Sequence, residues 1–109
     1  MLTETKNLRE FYRIIYPLNS GPKFELARKR ELAEIIELSQ GGFRVRGAIP
    51  GLRCGDVISG TVLFADEPTM TIASVKRICK GYTVFVFTKP LPILRVFNEQ
   101  VRIRREYAG

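Results

Sequence analysis

"KFELARKRELAEIIELSQGGFRVRG", residues 23–47, decides the fold. Its first part is rich in Glu, Lys, Leu and Ala, and Leu26, Ala33 and Ile36 sit at spacings that a helix would accept. Propensity alone therefore predicts a helix from Lys23 to Leu38. The context argues otherwise. Arg28, Lys29 and Arg30 separate two arms, "KFEL" and "ELAEIIEL", each short enough to be a hairpin strand, and the chain on both sides is strand-like. Two strands are expected here. The following "GFRVRG" alternates Phe43 and Val45 with Arg44 and Arg46, which gives one buried face and one basic face.

Working outward, "YRIIYPL" at 12–18 reads as a strand closed by Pro17 and by the turn residues "NSGP". Downstream, "GLRCGD" at 51–56 is a turn, and "VISGTVLF" at 57–64 is a strand in which Gly60 suggests a bend or bulge. "TMTIASVKRI" and "YTVFVFT" are two further strands joined by "CKG". The second is apolar on both faces, so a covering layer is expected, either the final segment or a second subunit. After Pro90 and Pro92, the segment 91–107 carries Leu94, Phe97 and Val101 at helical spacing and reads as a C-terminal helix. The expected fold is mainly all-β: a compact six-stranded antiparallel barrel with one terminal helix.

The chain has 109 residues, 45% of them apolar and 27% charged, which suits one globular domain. Its start is polar and its longest apolar runs are strand-length, so neither a signal peptide nor a membrane span is expected, and a cytoplasmic protein is the default. Cys54 and Cys79 are too few for a disulfide framework or a zinc site and read as buried or inert thiols. No histidine is present, which removes Ser-His-Asp and Cys-His chemistry and the usual neutral-pH base. Phosphate-cradling and nucleophile-elbow motifs are also missing, and Asp66 and Glu67 in "ADEPT" read as a solvated turn. The chain reads as a binder rather than an enzyme, with no metal and no cofactor. Its formal charge of +7 favours an anionic partner without choosing one. Arg28, Lys29, Arg30, Arg44, Arg46, Arg102, Arg104 and Arg105 read first as solvated faces.

Two short patterns carry the candidate site. Arg9 and Arg13 in "LREFYR" form R-x-x-x-R, which twelve arginines in 109 positions would produce about once by chance. Glu37, Ser39 and Gly42 form E-x-S-x-x-G, a much rarer coincidence, at the end of the early hairpin and with Gly41 beside it. A guanidinium can fork to guanine O6 and N7 or to a phosphate oxygen, and a carboxylate accepts from guanine N1 and N2. The Ser39 hydroxyl can reach a phosphate or base edge, and glycines let backbone N–H groups approach closely. Each element also has a plain structural reading: a solvated arginine pair beside Phe11 and Tyr12, and an ordinary Ser-Gly hairpin turn.

The order of these features, arginines before the first strand and then the acid-serine-glycine turn, resembles the PilZ domain family of bacterial cyclic di-GMP receptors. The resemblance spans nearly the whole chain, with residues 1–13 as an arginine-bearing arm, 14–88 as the barrel and 91–107 as the helix. It implies a six-stranded barrel that holds cyclic di-GMP between the arm and the turn, with Arg9, Arg13, Glu37, Ser39, Gly41 and Gly42 as ligand residues. Glu37 is a departure, since the family has Asp or Asn there. The implied partners are cyclic di-GMP and a downstream protein, with a homodimer as a further option. Two rivals are a PilZ-like adaptor without nucleotide and a small basic barrel for single-stranded nucleic acid, the weaker of the two.

Overall fold

The structure is a computed structural model that describes residues 13–28 and 31–107. The stretch 23–38 is a hairpin. Strands β2 (Lys23–Leu26) and β3 (Leu32–Leu38) pair antiparallel, with Phe24 opposite Ala33 and Glu25 opposite Leu32. Helix-forming residues yield here because Phe24, Leu26, Ala33 and Ile35 all turn one way, into a common core.

The remaining described elements are β1 (Ile14–Ile15), β4 (Gly42–Arg46), β5 (Val57–Leu63), β6 (Pro68–Cys79), β7 (Tyr82–Phe87) and helix α1 (Ile93–Tyr107). Six strands close on themselves in the order β3-β2-β5-β6-β7-β4, with β4 returning to β3, and every neighbouring pair is antiparallel. A closed barrel has no free edge along this circuit. The seventh strand, β1, lies beside the second half of β3, with Ile14 opposite Leu38 and Ile15 opposite Glu37. The strand expected over 12–18 is thus only two residues long. Tyr16 still donates its amide to Ile36 O, but Pro17 has no N–H, and its carbonyl accepts from Ser20 N in a turn.

Two bulges bend the wall. One extra residue, Ile36, lies between the pairs Ile35–Val45 and Glu37–Arg44, and another, Lys76, lies between Val75–Phe85 and Arg77–Val84. Gly60, where a bend was expected, shows none: the ladders on both sides of it run without a shift. Its reason is packing, because a Cβ at Gly60 would fall on the Phe24 ring. The interior is filled. Phe43 lies 4.8 Å from both Phe24 and Phe85, centroid to centroid, and 5.1 Å from Phe87. The lumen therefore has no room for a ligand, which leaves only the outer wall and the rims as places where one could bind.

Helix α1 starts after Pro92, whose carbonyl accepts from Arg95 N. Leu91 N donates to Gln40 O and Gln40 Nε2 donates to Leu91 O, which fixes the helix start beside the β3–β4 turn. The expected apolar stripe faces outward: Leu94 and Phe97 are exposed, whereas Val96 and Glu99 are buried and Ile103 packs on the core. Burial of Leu91 just before the helix sets that rotation. The outer face of β7 is only partly covered: Tyr82 and Val84 are half-buried, and Val86 is exposed in one row with Ser74 and exposed Val57. Both thiols are free, and of the two alternatives expected for them burial does not hold: Cys54 is exposed and Cys79 half-buried. No helix among the described residues is long and apolar enough to cross a membrane.

Candidate functional site

The bulge at Ile36 orients the acid. Strict alternation from Ile35 would turn Glu37 inward, beside Leu38 facing out. The extra residue reverses the parity, so Leu38 is buried and Glu37 faces solvent with 19% of its side chain accessible. Opposite it, β1 carries the chain past Glu37 and ends the run from Arg13. Arg13 Nη2 then donates to Glu37 Oε1 at 2.9 Å. From the other side, Arg44 on β4 brings Nε to 3.7 Å from Glu37 Oε2, and its guanidinium carbon lies 5.0 Å from the Tyr82 ring centre. Glu37 is thus flanked by two cations. Further along this face, Arg46 Nε donates to Glu34 Oε1 at 3.0 Å.

The turn beside the acid is held from within. Ser39 donates its amide and its hydroxyl to Gly42 O, at 2.9 and 3.3 Å. Gly41 O accepts from Phe87 N, and the space where a Cβ would sit at Gly41 is open. Gly42 is different: a Cβ there would strike Phe85 O on β7, so glycine is required for the close approach of the two strands. Of the residues singled out in the sequence, the structure brings Arg13, Glu37, Ser39, Gly41 and Gly42 to one rim. Arg9 lies outside the described residues, as do Lys29 and Arg30.

A second cluster occupies the same end of the barrel, and sequence reading missed it. Glu99 on α1 is 3% exposed, its Oε2 accepting from the Tyr16 hydroxyl at 2.7 Å and from Arg102 Nη2 at 2.9 Å, while Oε1 takes Arg102 Nε at 3.0 Å. Arg102 continues to Glu106. Burial, reinforced by the nearby Glu99 charge, pushes the Tyr16 hydroxyl well above the ordinary tyrosine range. The hydrogen bonds to Glu99 hold Arg102 firmly charged. Close by, Arg95 donates two bonds of 2.7 Å to Asp66 and lies 3.8 Å from the Phe64 ring centre. The paired guanidinium lowers the Asp66 carboxyl to about 2, so this turn is more than solvated. Tyr16 and Glu99 are 83 positions apart, and nothing local in either segment signals the pair.

At the opposite end, where the β2–β3 turn meets the 50–56 loop, Leu26, Arg28, Leu52, Asp56 and Ile58 line a shallow cleft of about 220 Å³. Asp56 Oδ2 already accepts from Arg53 N there. Among the described residues no group of three or more metal-ligating side chains comes together.

No protein-family model matches the chain, and none of the curated proteins does. Among solved structures, the crystal structure of an uncharacterized Legionella protein, Lpg0364, matches with a TM-score of 0.60 over 89% of this chain and 98% of that chain, at 20% identity. At that identity the likeness shows the fold alone.

Proposed function

We propose that this chain is a cytoplasmic, non-catalytic receptor of PilZ type that binds cyclic di-GMP and passes the signal to a partner protein by a change in shape. The observation that carries the reading is the 2.9 Å pair between Arg13 and Glu37 at an accessible rim. It places a guanidinium and a carboxylate side by side, the two groups that guanine's O6/N7 edge and N1/N2 donors call for. Exposed pairs of this kind are worth about 0–1 kcal/mol, so opening it to admit a ligand costs little. Ser39 and the open face at Gly41 border the same rim, and Arg9 is the second arm cation that the sequence pattern supplies. The ligand's two phosphates suit a chain of charge +7.

Calorimetry with cyclic di-GMP tests this directly. The wild type should give heat at micromolar ligand, and Arg13→Ala should bind at least tenfold more weakly, about 1.4 kcal/mol. No heat, or equal affinity in the variant, sinks the assignment. Glu37→Asp should bind as well as wild type or better, whereas a large loss would show that Glu37 does not occupy the acid position. A second reading, an adaptor that needs no nucleotide, draws on exposed Val57, Met70 and Ile72 on the outer wall. It predicts a silent nucleotide titration together with protein binding that fails after Met70→Lys.

A further inference from the structure

We infer that Arg44 and Tyr82 form a stacking platform for a purine base, carrying the ligand site from the rim across the outer wall. The inference rests on the receptor reading above and adds two residues to the site. Glu37, Arg44 and Tyr82 come from three successive strands, β3, β4 and β7. Glu37 is the direct partner of Arg44, whose own partner on β7 is Val84, and Tyr82 lies two pairs further along β4, opposite Arg46. All three point outward, since Phe43, Val45, Thr83 and Phe85 take the inner positions between them. The result is a diagonal of acid, guanidinium and aromatic ring across the outer wall, with Val84 directly beside Arg44.

Arg44 owes its placement to the ring as well as to the acid. Its Nε stands 3.7 Å from Glu37 Oε2, beyond hydrogen-bond range, while its guanidinium carbon is 5.0 Å from the Tyr82 ring centre, within reach of a cation–π contact. Arg13 by contrast holds Glu37 at hydrogen-bond distance. One cation therefore satisfies the acid while the other is steadied over an aromatic, with a third of its side chain still accessible. Guanidinium planes and tyrosine rings both present π-faces on which bases stack. Neighbouring strands are about 4.8 Å apart. A guanine that gives N1 and N2 to Glu37 and lies along the wall spans that spacing and covers Arg44, so that the guanidinium is held between the base and the Tyr82 ring. Glutamate, one methylene longer than aspartate, moves the carboxylate outward toward such a base.

Charge and stacking separate experimentally because only the charge term depends strongly on salt. Cyclic di-GMP affinity, measured over a salt series, should fall about tenfold in Tyr82→Leu with an unchanged salt slope and remain near wild type in Tyr82→Phe. Arg44→Lys keeps the charge but loses the plane, so it should lose affinity while keeping the slope. Arg44→Ala should lose both. The Arg44→Lys change lies on an exposed face and leaves folding intact, which melting curves will verify. If wild type binds and both Tyr82→Leu and Arg44→Lys bind equally well, the platform is refuted and the receptor reading stands. If wild type gives no binding, both fall together.

Discussion

Among the carboxylates that arginines hold at one end of this barrel, Glu99 and Glu37 differ in almost every physical respect. Glu99 is buried, satisfied by a tyrosine hydroxyl and a two-pronged arginine, and ties the residue that follows β1 to helix α1. Glu37 is partly open, joined by a single close bond to Arg13 and more loosely to Arg44. Burial makes the first pair costly to disturb, because removing one partner strands a charge in a poorly solvated place. Exposure makes the second cheap to open. The same chemical pairing thus serves architecture in one place and remains available for exchange in the other.

The largest effect should come from Glu99→Ala, which leaves Arg102 and the Tyr16 hydroxyl without their shared acceptor. A loss of about 3–5 kcal/mol in urea unfolding is expected, and a loss under 1 kcal/mol would break the contrast with Glu37. Tyr16→Phe keeps the ring and removes one bond to a charged acceptor, a loss of about 1.5–3 kcal/mol. It also carries a pH signature. The folded Tyr16 hydroxyl titrates above its unfolded value of about 10, so its contribution is intact below pH 10 and is lost as the pH rises beyond it. Stability measured against pH should fall less steeply above pH 10 in Tyr16→Phe than in wild type.

Asp66 comes next. Its folded pKa of about 2 lies below the unfolded value of about 3.9, so its contribution is present above pH 4 and disappears as the pH falls toward 2. Because the carboxylate is largely exposed, the effect is modest. Asp66→Asn should lower stability slightly at pH 7 and flatten the acid limb of the stability curve over that window, so that its difference from wild type vanishes as the pH falls toward 2. An unchanged acid limb would mean that the Arg95 pair contributes nothing to folding.

How far the sequence carried these two clusters follows from range. The barrel was legible because alternation is local: Phe43 and Val45 inside, Arg44 and Arg46 outside, with a hairpin before them. The acid turn was legible for the same reason, since Glu37, Ser39 and Gly42 lie within six positions. The bulge left a trace that went unread: Ile35 and Leu38 are three apart, which no strand can bury on one face without an extra residue. Glu99 left none. On the helix it looked like an ordinary charged position between Leu94, Phe97 and Val101, and only packing against Tyr16 turns that face inward. Gly60 answers likewise to Phe24, 36 positions away, and not to a bend in its own strand.

The smallest effect on folding, and the sharpest on function, belongs to Glu37→Gln. The pair it removes is exposed and the amide fills the same space, so unfolding should shift by less than about 1 kcal/mol. Ligand binding should fall at least tenfold, because the amide offers guanine N1 and N2 one acceptor oxygen and sets an N–H donor against them in place of the other. Gly42→Ala would make a poor substitute for this test. Its Cβ meets Phe85 O, so lost binding there would report a pushed-apart β4–β7 pair as readily as a lost ligand contact. Glu37→Gln isolates the site from the scaffold: a variant as stable as wild type that still binds cyclic di-GMP fully would show that this acid, though open, is not where the ligand is read.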